Sequence, residues 1–105
     1  MSLKLGDYTF EGPYKTAATL KDKSGVYAIL CLTGVKFSVI DIGESSMVKT
    51  RIHCHFRDSV WNKQCNGALM VAVRYTPNIQ QAGRRLLQKE LKLLLNPVCG
   101  DQSNY

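Results

Sequence analysis

An α+β domain, with a three-stranded antiparallel sheet flanked by helices, is the architecture this sequence predicts. A nearly unbroken apolar run, Gly25 to Val35, turns back at Thr33-Gly34-Val35-Lys36 into a second strand, Phe37 to Ile42. Two strands joined so tightly must be antiparallel. Ala68 to Tyr75 is a third strand, apolar on both sides, and Asn78 to Asn96 repeats its apolar residues at helical spacing. Strands and helices in this mixture define packed layers around one core.

Each element has its own signals. Residues 1–12 read as loop, with Tyr8 and Phe10 able to form a short edge strand. Gly12-Pro13 opens a short helix to about Leu20, since proline suits a first turn. Lys21 to Gly25 is a turn. Gly34 supplies the unusual dihedral of the hairpin. Gly43 to Ser46 ends the second strand, and Ser45 or Ser46 caps a helix carrying Arg51 and His55. Cys65-Asn66-Gly67 is a turn before the third strand. Asn78 caps the last helix, and Pro97 and Gly100 end it.

The chain has 105 residues, enough for one domain with a modest core. Lys and Arg outnumber Asp and Glu by 14 to 8, a net charge of +6 that suits a polyanionic partner. The longest apolar stretch falls well short of the ~20 residues a membrane span needs. No charged segment followed by an apolar one opens the chain, so no secretory leader is expected. The four cysteines, Cys31, Cys54, Cys65 and Cys99, show no close CxxC pairing. Reduced thiols in a cytoplasmic, reducing setting are the expectation.

One residue breaks the helical pattern. On the last helix, Ile79, Ala82, Leu86, Leu87, Leu93 and Leu94 form the apolar stripe, and Glu90 falls in its middle. A carboxylate facing a core is costly unless a cation or hydrogen bonds satisfy it. Glu90 is thus either paired for structural reasons or lines a site.

Other constellations carry chemistry to different degrees. Arg51 and His55 lie four apart on one helix and point to one side. An arginine fork grips phosphate, and an imidazole moves protons near neutral pH. Gly43 to Thr50 approaches the phosphate-binding pattern GxxxxGK[ST], but Val48 replaces its second glycine. His53, Cys54, His55 and Cys65 lack the spacing of a tetrahedral zinc site. Asp41 interrupts an apolar strand, alternating with Phe37 and Val39, and Tyr27 alternates with Ile29 on the neighbouring strand.

Taken in order, these positions resemble the GIY-YIG nuclease family. Gly25-Val26-Tyr27 stands where the family has its first triplet, and Asp41-Ile42-Gly43 where it has Tyr-Ile-Gly. Arg51 and His55 match the arginine and histidine of the following helix. Glu90 matches the metal-binding glutamate, and Pro97 the proline that follows. The resemblance covers about residues 24–100 of a single domain spanning 1–105.

That resemblance implies a divalent-metal-dependent endonuclease acting on DNA, with RNA left open. Glu90 would hold one Mg²⁺ or Mn²⁺ ion, a hard cation suited to carboxylate oxygen. Arg51 would stabilise phosphoryl charge, Tyr27 would position or deprotonate water, and His55 would assist. Asp41, standing where the family has tyrosine, could accept a proton or bind metal. Lys49, Arg57, Lys63 and Arg74 would guide the nucleic-acid backbone. Because a carboxylate cannot act as a phenol, and Gly100 lies near the family's asparagine, the alternative is a catalytically impaired module. It would bind nucleic acid or a protein partner.

Overall fold

A computed structural model of the chain describes residues 1–55 and 59–98, with the side chains of His55 and Ser59 outside the description. Its elements are β1 (Ser2–Leu5), β2 (Tyr8–Tyr14), β3 (Gly25–Thr33), β4 (Lys36–Ser45), α1 (Val48–His55), α2 (Ser59–Lys63), β5 (Ala68–Tyr75) and α3 (Gln81–Leu95). The mixed α+β class holds, but the sheet has five strands, in the order β1-β2-β5-β3-β4, with every neighbour antiparallel.

The two extra strands come from the amino-terminal segment. Phe10 is fully buried between exposed Thr9 and Glu11, which is the period of a strand. The expected helix from Gly12 to Leu20 does not form. Gly12 has φ 111°, where a side chain would press on the Val71 carbonyl, and Tyr14 still pairs with β5 opposite Val71. The Gly12–Pro13 peptide bond is cis. Beyond Tyr14 the chain runs irregularly to β3, sending Ala17 and Leu20 into the core.

Strand β3 lies centrally and is buried on both faces, which explains its nearly continuous apolar sequence. Val26, Ala28 and Leu30 pack with Phe10, Ile42, Met70 and Ala72 beneath Leu91 of α3. Tyr27, Ile29 and Cys31 pack on the other side with Val71, Val73, Val48, Ile52 and Trp61. Helix α3 thus covers one face, and α1 and α2 cover the other.

A bulge in β4 shapes the second face. Ile29 pairs with Asp41 and Leu30 with Val39, leaving Ile40 as the additional residue. Ile40 joins the core beside α1 and α2, whereas Val39 packs on the α3 side. Asp41 therefore does not share a face with Val39, as strict alternation would require. Outer strand β4 is guarded along its edge: Gln88 Nε2 donates to the Ile42 carbonyl at 3.2 Å and the Val98 amide to the Val39 carbonyl at 3.1 Å.

Helix α3 begins at Gln81 rather than Asn78. It ends as expected before Pro97, with Asn96 in the left-handed conformation and its amide bonded to the Lys92 carbonyl. Its phase differs from the expected one. Arg84 and Leu91 are buried, while Leu86, Leu93 and Leu94 are 69%, 77% and 58% exposed. The reason is Glu44 of β4, whose Oε1 accepts from Arg84 Nε at 2.9 Å and holds that guanidinium inside.

The cysteines also depart from expectation. Cys31 and Cys65 form a disulfide, with Cα atoms 5.5 Å apart, that ties the end of α2 to central β3. Cys54 is free and exposed. Among the described residues no helix is long and apolar enough to cross a membrane.

Candidate functional site

Tyr27 and Asp41 do share one face of the β3–β4 hairpin. Tyr27 is paired opposite Gly43, and its ring occupies the space a Gly43 side chain would need. Glycine at this triplet position is therefore a packing requirement of the tyrosine. Asp41 pairs opposite Ile29 and is 8% exposed. Trp61 Nε1 donates to its Oδ2 at 3.0 Å, and the Ile42 amide donates to its Oδ1 at 2.8 Å. A buried carboxylate with two N–H donors holds α2 against the sheet.

Burial raises the Asp41 pKa above its ordinary 3.8, outweighing the two hydrogen bonds that favour the charged form. The native state then keeps a proton that the unfolded chain has lost. Stability from this group is full below the unfolded pKa and is lost as pH rises through the raised folded value. Asp41→Asn removes that titration. Urea unfolding at a series of pH values should show wild type losing ground to the variant as pH rises through this window. A pH-independent difference between the two would refute the assignment.

Helix α1 starts from a set of local bonds. The Met47 amide donates to Ser45 Oγ at 2.9 Å, so Ser45 does act at this helix start. The Val48 amide donates to the Lys23 carbonyl at 3.0 Å. Asp22 completes the start: Oδ1 accepts from the Thr50 amide at 2.9 Å and Oδ2 from the Thr50 hydroxyl at 2.7 Å. These bonds, the hydroxyl's first, hold the Asp22 carboxyl below its usual range. A negative group here also suits the helix dipole. Lys49 Nζ donates to the Ala18 carbonyl at 3.3 Å. Thr50 and Lys49 are thus engaged by the 15–24 segment, and Gly43 to Thr50 does not form a phosphate-cradling loop.

Beside this start lies an open pocket of about 320 Å³, lined by Ser45, Ser46, Met47, Thr50, Arg51 and Cys54. Arg51 is exposed there. A guanidinium flanked by hydroxyls offers donors to an anion, and arginine's fork matches phosphate oxygens. His55 ends α1, its side chain outside the described residues, as are Arg57 and Gly100 entirely. Lys63 is exposed at the end of α2.

Glu90 and Arg74 belong to the opposite layer. Glu90 is exposed, and its Oε2 accepts from the Tyr8 hydroxyl at 2.8 Å. That bond is the main reason the Tyr8 phenol is raised above its usual pKa. Arg74 sits 5.3 Å from the Tyr8 ring centre and donates through Nη1 to the Thr9 carbonyl at 3.0 Å. The five-stranded sheet therefore separates Glu90 from Tyr27, Asp41 and Arg51. A Mg²⁺ or Mn²⁺ ion on Glu90 would be remote from those groups, so the residues do not fit the expected metal centre. Among the described residues no three His, Cys, Asp or Glu side chains cluster closely enough to hold a metal. Cys65 is in the disulfide and is no zinc ligand.

Sequence reasoning missed Asp22, Trp61 and the Glu44–Arg84 pair, all of whose partners are distant in the chain. The single tryptophan was the one compositional signal among them. No family model, curated protein or solved structure matches this chain.

Proposed function

We propose that the chain binds the phosphate backbone of nucleic acid, DNA in the first instance, without hydrolysing it. The observation that carries this reading is Arg51, exposed in a pocket with Ser45, Ser46 and Thr50 on a protein of net charge +6. Lys63 adds a cation at the end of α2, on the same side of the sheet. Arg74 takes no part, being on the α3 side and bonded to Thr9. Hydrolysis by the expected route needs a metal beside Arg51 and Tyr27, and the carboxylates described on that side are already engaged, Asp41 with Trp61 and the Ile42 amide and Asp22 with Thr50. The disulfide suits an oxidising setting better than the reducing cytoplasm expected from the cysteine spacing.

Binding of a fluorescent DNA duplex, followed by anisotropy across a salt series, tests the reading. Affinity should fall steeply with salt, and Arg51→Ala should weaken it roughly three- to tenfold and flatten the logarithmic slope by about 0.9. Glu90→Ala should bind as wild type. Binding indifferent to salt, or to Arg51, rejects the proposal. Plasmid nicking with Mg²⁺ or Mn²⁺ that Glu90→Ala abolishes would restore the endonuclease reading.

A further inference from the structure

Residues 15–24 form neither helix nor strand, yet the segment is firmly held. Ala17 and Leu20 are buried in the core beneath it. The Lys21 amide donates to the Tyr75 hydroxyl at 2.8 Å, and the Thr76 amide to the Ser24 carbonyl at 2.9 Å. Toward α1, the Lys23 carbonyl accepts from the Val48 amide, and the Asp22 carboxylate accepts from the Thr50 amide and hydroxyl. The Lys23 amide donates to the Lys21 carbonyl at 2.9 Å, which closes a three-residue turn centred on Asp22. Lys21 and Lys23 flank that turn and are exposed. Residues 15–24 and 45–55 together hold the cations Lys15, Lys21, Lys23, Lys49 and Arg51 against a single carboxylate, Asp22. Most of the chain's net charge of +6 therefore gathers around the start of α1.

We propose that the 21–23 turn is a second phosphate-binding element beside Arg51, and that Asp22 is its positioning residue. The inference rests on the reading of Arg51 as a phosphate-backbone contact, and extends it from one guanidinium to a track. Val48 and Thr50, whose amides bond to the turn, lie three and one positions before Arg51, so turn and guanidinium adjoin at the first turns of α1. Lys49 Nζ, bonded to the Ala18 carbonyl, sits at the seam between them. Arg51 and the hydroxyls around it can meet a lone phosphate, but only a run of phosphates engages the lysines as well. The ligand is thus a phosphodiester polymer rather than a mononucleotide, held by charge without base readout. Asp22 acts against its own sign: its carboxylate repels phosphate, yet by bonding Thr50 it fixes two cations next to Arg51.

Anisotropy of a fluorescent DNA duplex across a salt series tests the track, with each variant measured where circular dichroism shows it folded. The double variant Lys21→Ala, Lys23→Ala should flatten the logarithmic salt slope by about 0.9 for each lysine removed, in addition to the change from Arg51→Ala. Arg85→Ala, Lys89→Ala removes the same charge from α3, in the opposite layer, and should leave the slope as in wild type. Asp22→Ala makes the chain more positive, yet should weaken binding about threefold and flatten the slope, because the lysines lose their place. Asp22→Asn keeps an acceptor for the Thr50 amide and should bind at least as tightly as wild type. A merely electrostatic Asp22 predicts tighter binding by Asp22→Ala, and that result would overturn its positioning role. A slope that falls with Arg51→Ala but not with the lysine pair, or equally with the α3 pair, would overturn the track and leave the Arg51 contact standing. Wild-type binding indifferent to salt would instead remove the reading beneath both.

Discussion

Arg84→Ala is expected to cost about 3 kcal/mol or more of folding stability, because it strands Glu44 beneath α3. Arg84 Nε is 2.9 Å from Glu44 Oε1, and the two side chains are only 8% and 9% exposed. Its Nη1 also donates to the Ile79 carbonyl at 3.0 Å, so truncation leaves a second acceptor unmet at the helix start. Arg85 moderates the loss: its Nε lies 3.6 Å from Glu44 Oε2, but at 63% exposure it is largely screened by water. For a domain whose total stability is of order 5–15 kcal/mol, this is a large fraction. The thermal midpoint should fall by roughly 12 °C or more. The double variant Glu44→Gln, Arg84→Met should recover most of the loss, because a buried ion pair replaced by less polar groups of similar size is often neutral. Urea titrations of the three proteins decide the matter. An Arg84→Ala loss below about 1 kcal/mol would mean that Glu44 escapes to solvent or that Arg85 substitutes fully.

The same pair explains where sequence reading of α3 went astray. Hydrophobicity alone selects the stripe through Leu86, Leu93 and Leu94, since an arginine at position 84 argues against burial there. Only the register of β4, which turns Glu44 toward α3 opposite Val26, makes that arginine an interior residue. The carboxylate anomaly at Glu90 was legible, but its meaning depended on which of two apolar faces met the sheet. The central hairpin was easier. Alternation, the Gly34 turn and apolar β5 identify three adjacent strands without tertiary knowledge.

At the amino terminus, proline after glycine is as good a helix opener as a strand-edge residue. Tyr8 and Phe10, alternating about Thr9, did mark a strand there, but two residues are too few to fix its length or its neighbours. At the site, Asp41 betrayed itself as a charge in an apolar strand. Its partner Trp61 lies 20 residues away, across α1 and on another helix, and no periodicity connects them. The bulge at Ile40 is equally silent in sequence, although it decides that Asp41 and Tyr27 share a face.

Replacing Cys31 and Cys65 by serine, or reducing the bridge with a dithiol, is expected to cost about 3–4 kcal/mol. The bridge closes a loop with sequence separation 34, and the entropy withheld from an unfolded chain of that loop length gives this magnitude. The structure makes the loss local as well as global. Helix α2 has five residues, too few to persist alone. The disulfide just beyond its end and the Trp61–Asp41 hydrogen bond within it both tie it to the sheet. Cutting the first leaves the second, and keeping Asp41 buried beneath the helix becomes more costly once its proton is lost. Trp61 is 6% exposed and is the only tryptophan, so its emission reports on α2 directly. Reduction should shift that emission to longer wavelength under native conditions, and more so as pH rises and the buried Asp41 loses its proton. Cys31→Ala alone would add a small packing loss, since Cys31 is 3% exposed, but the emission change should match that of the reduced wild type. An unchanged Trp61 spectrum after complete reduction would show that packing against Ile29, Ile40 and Val71 holds α2 without the bridge, and the expected stability loss would then have to come from the unfolded chain alone.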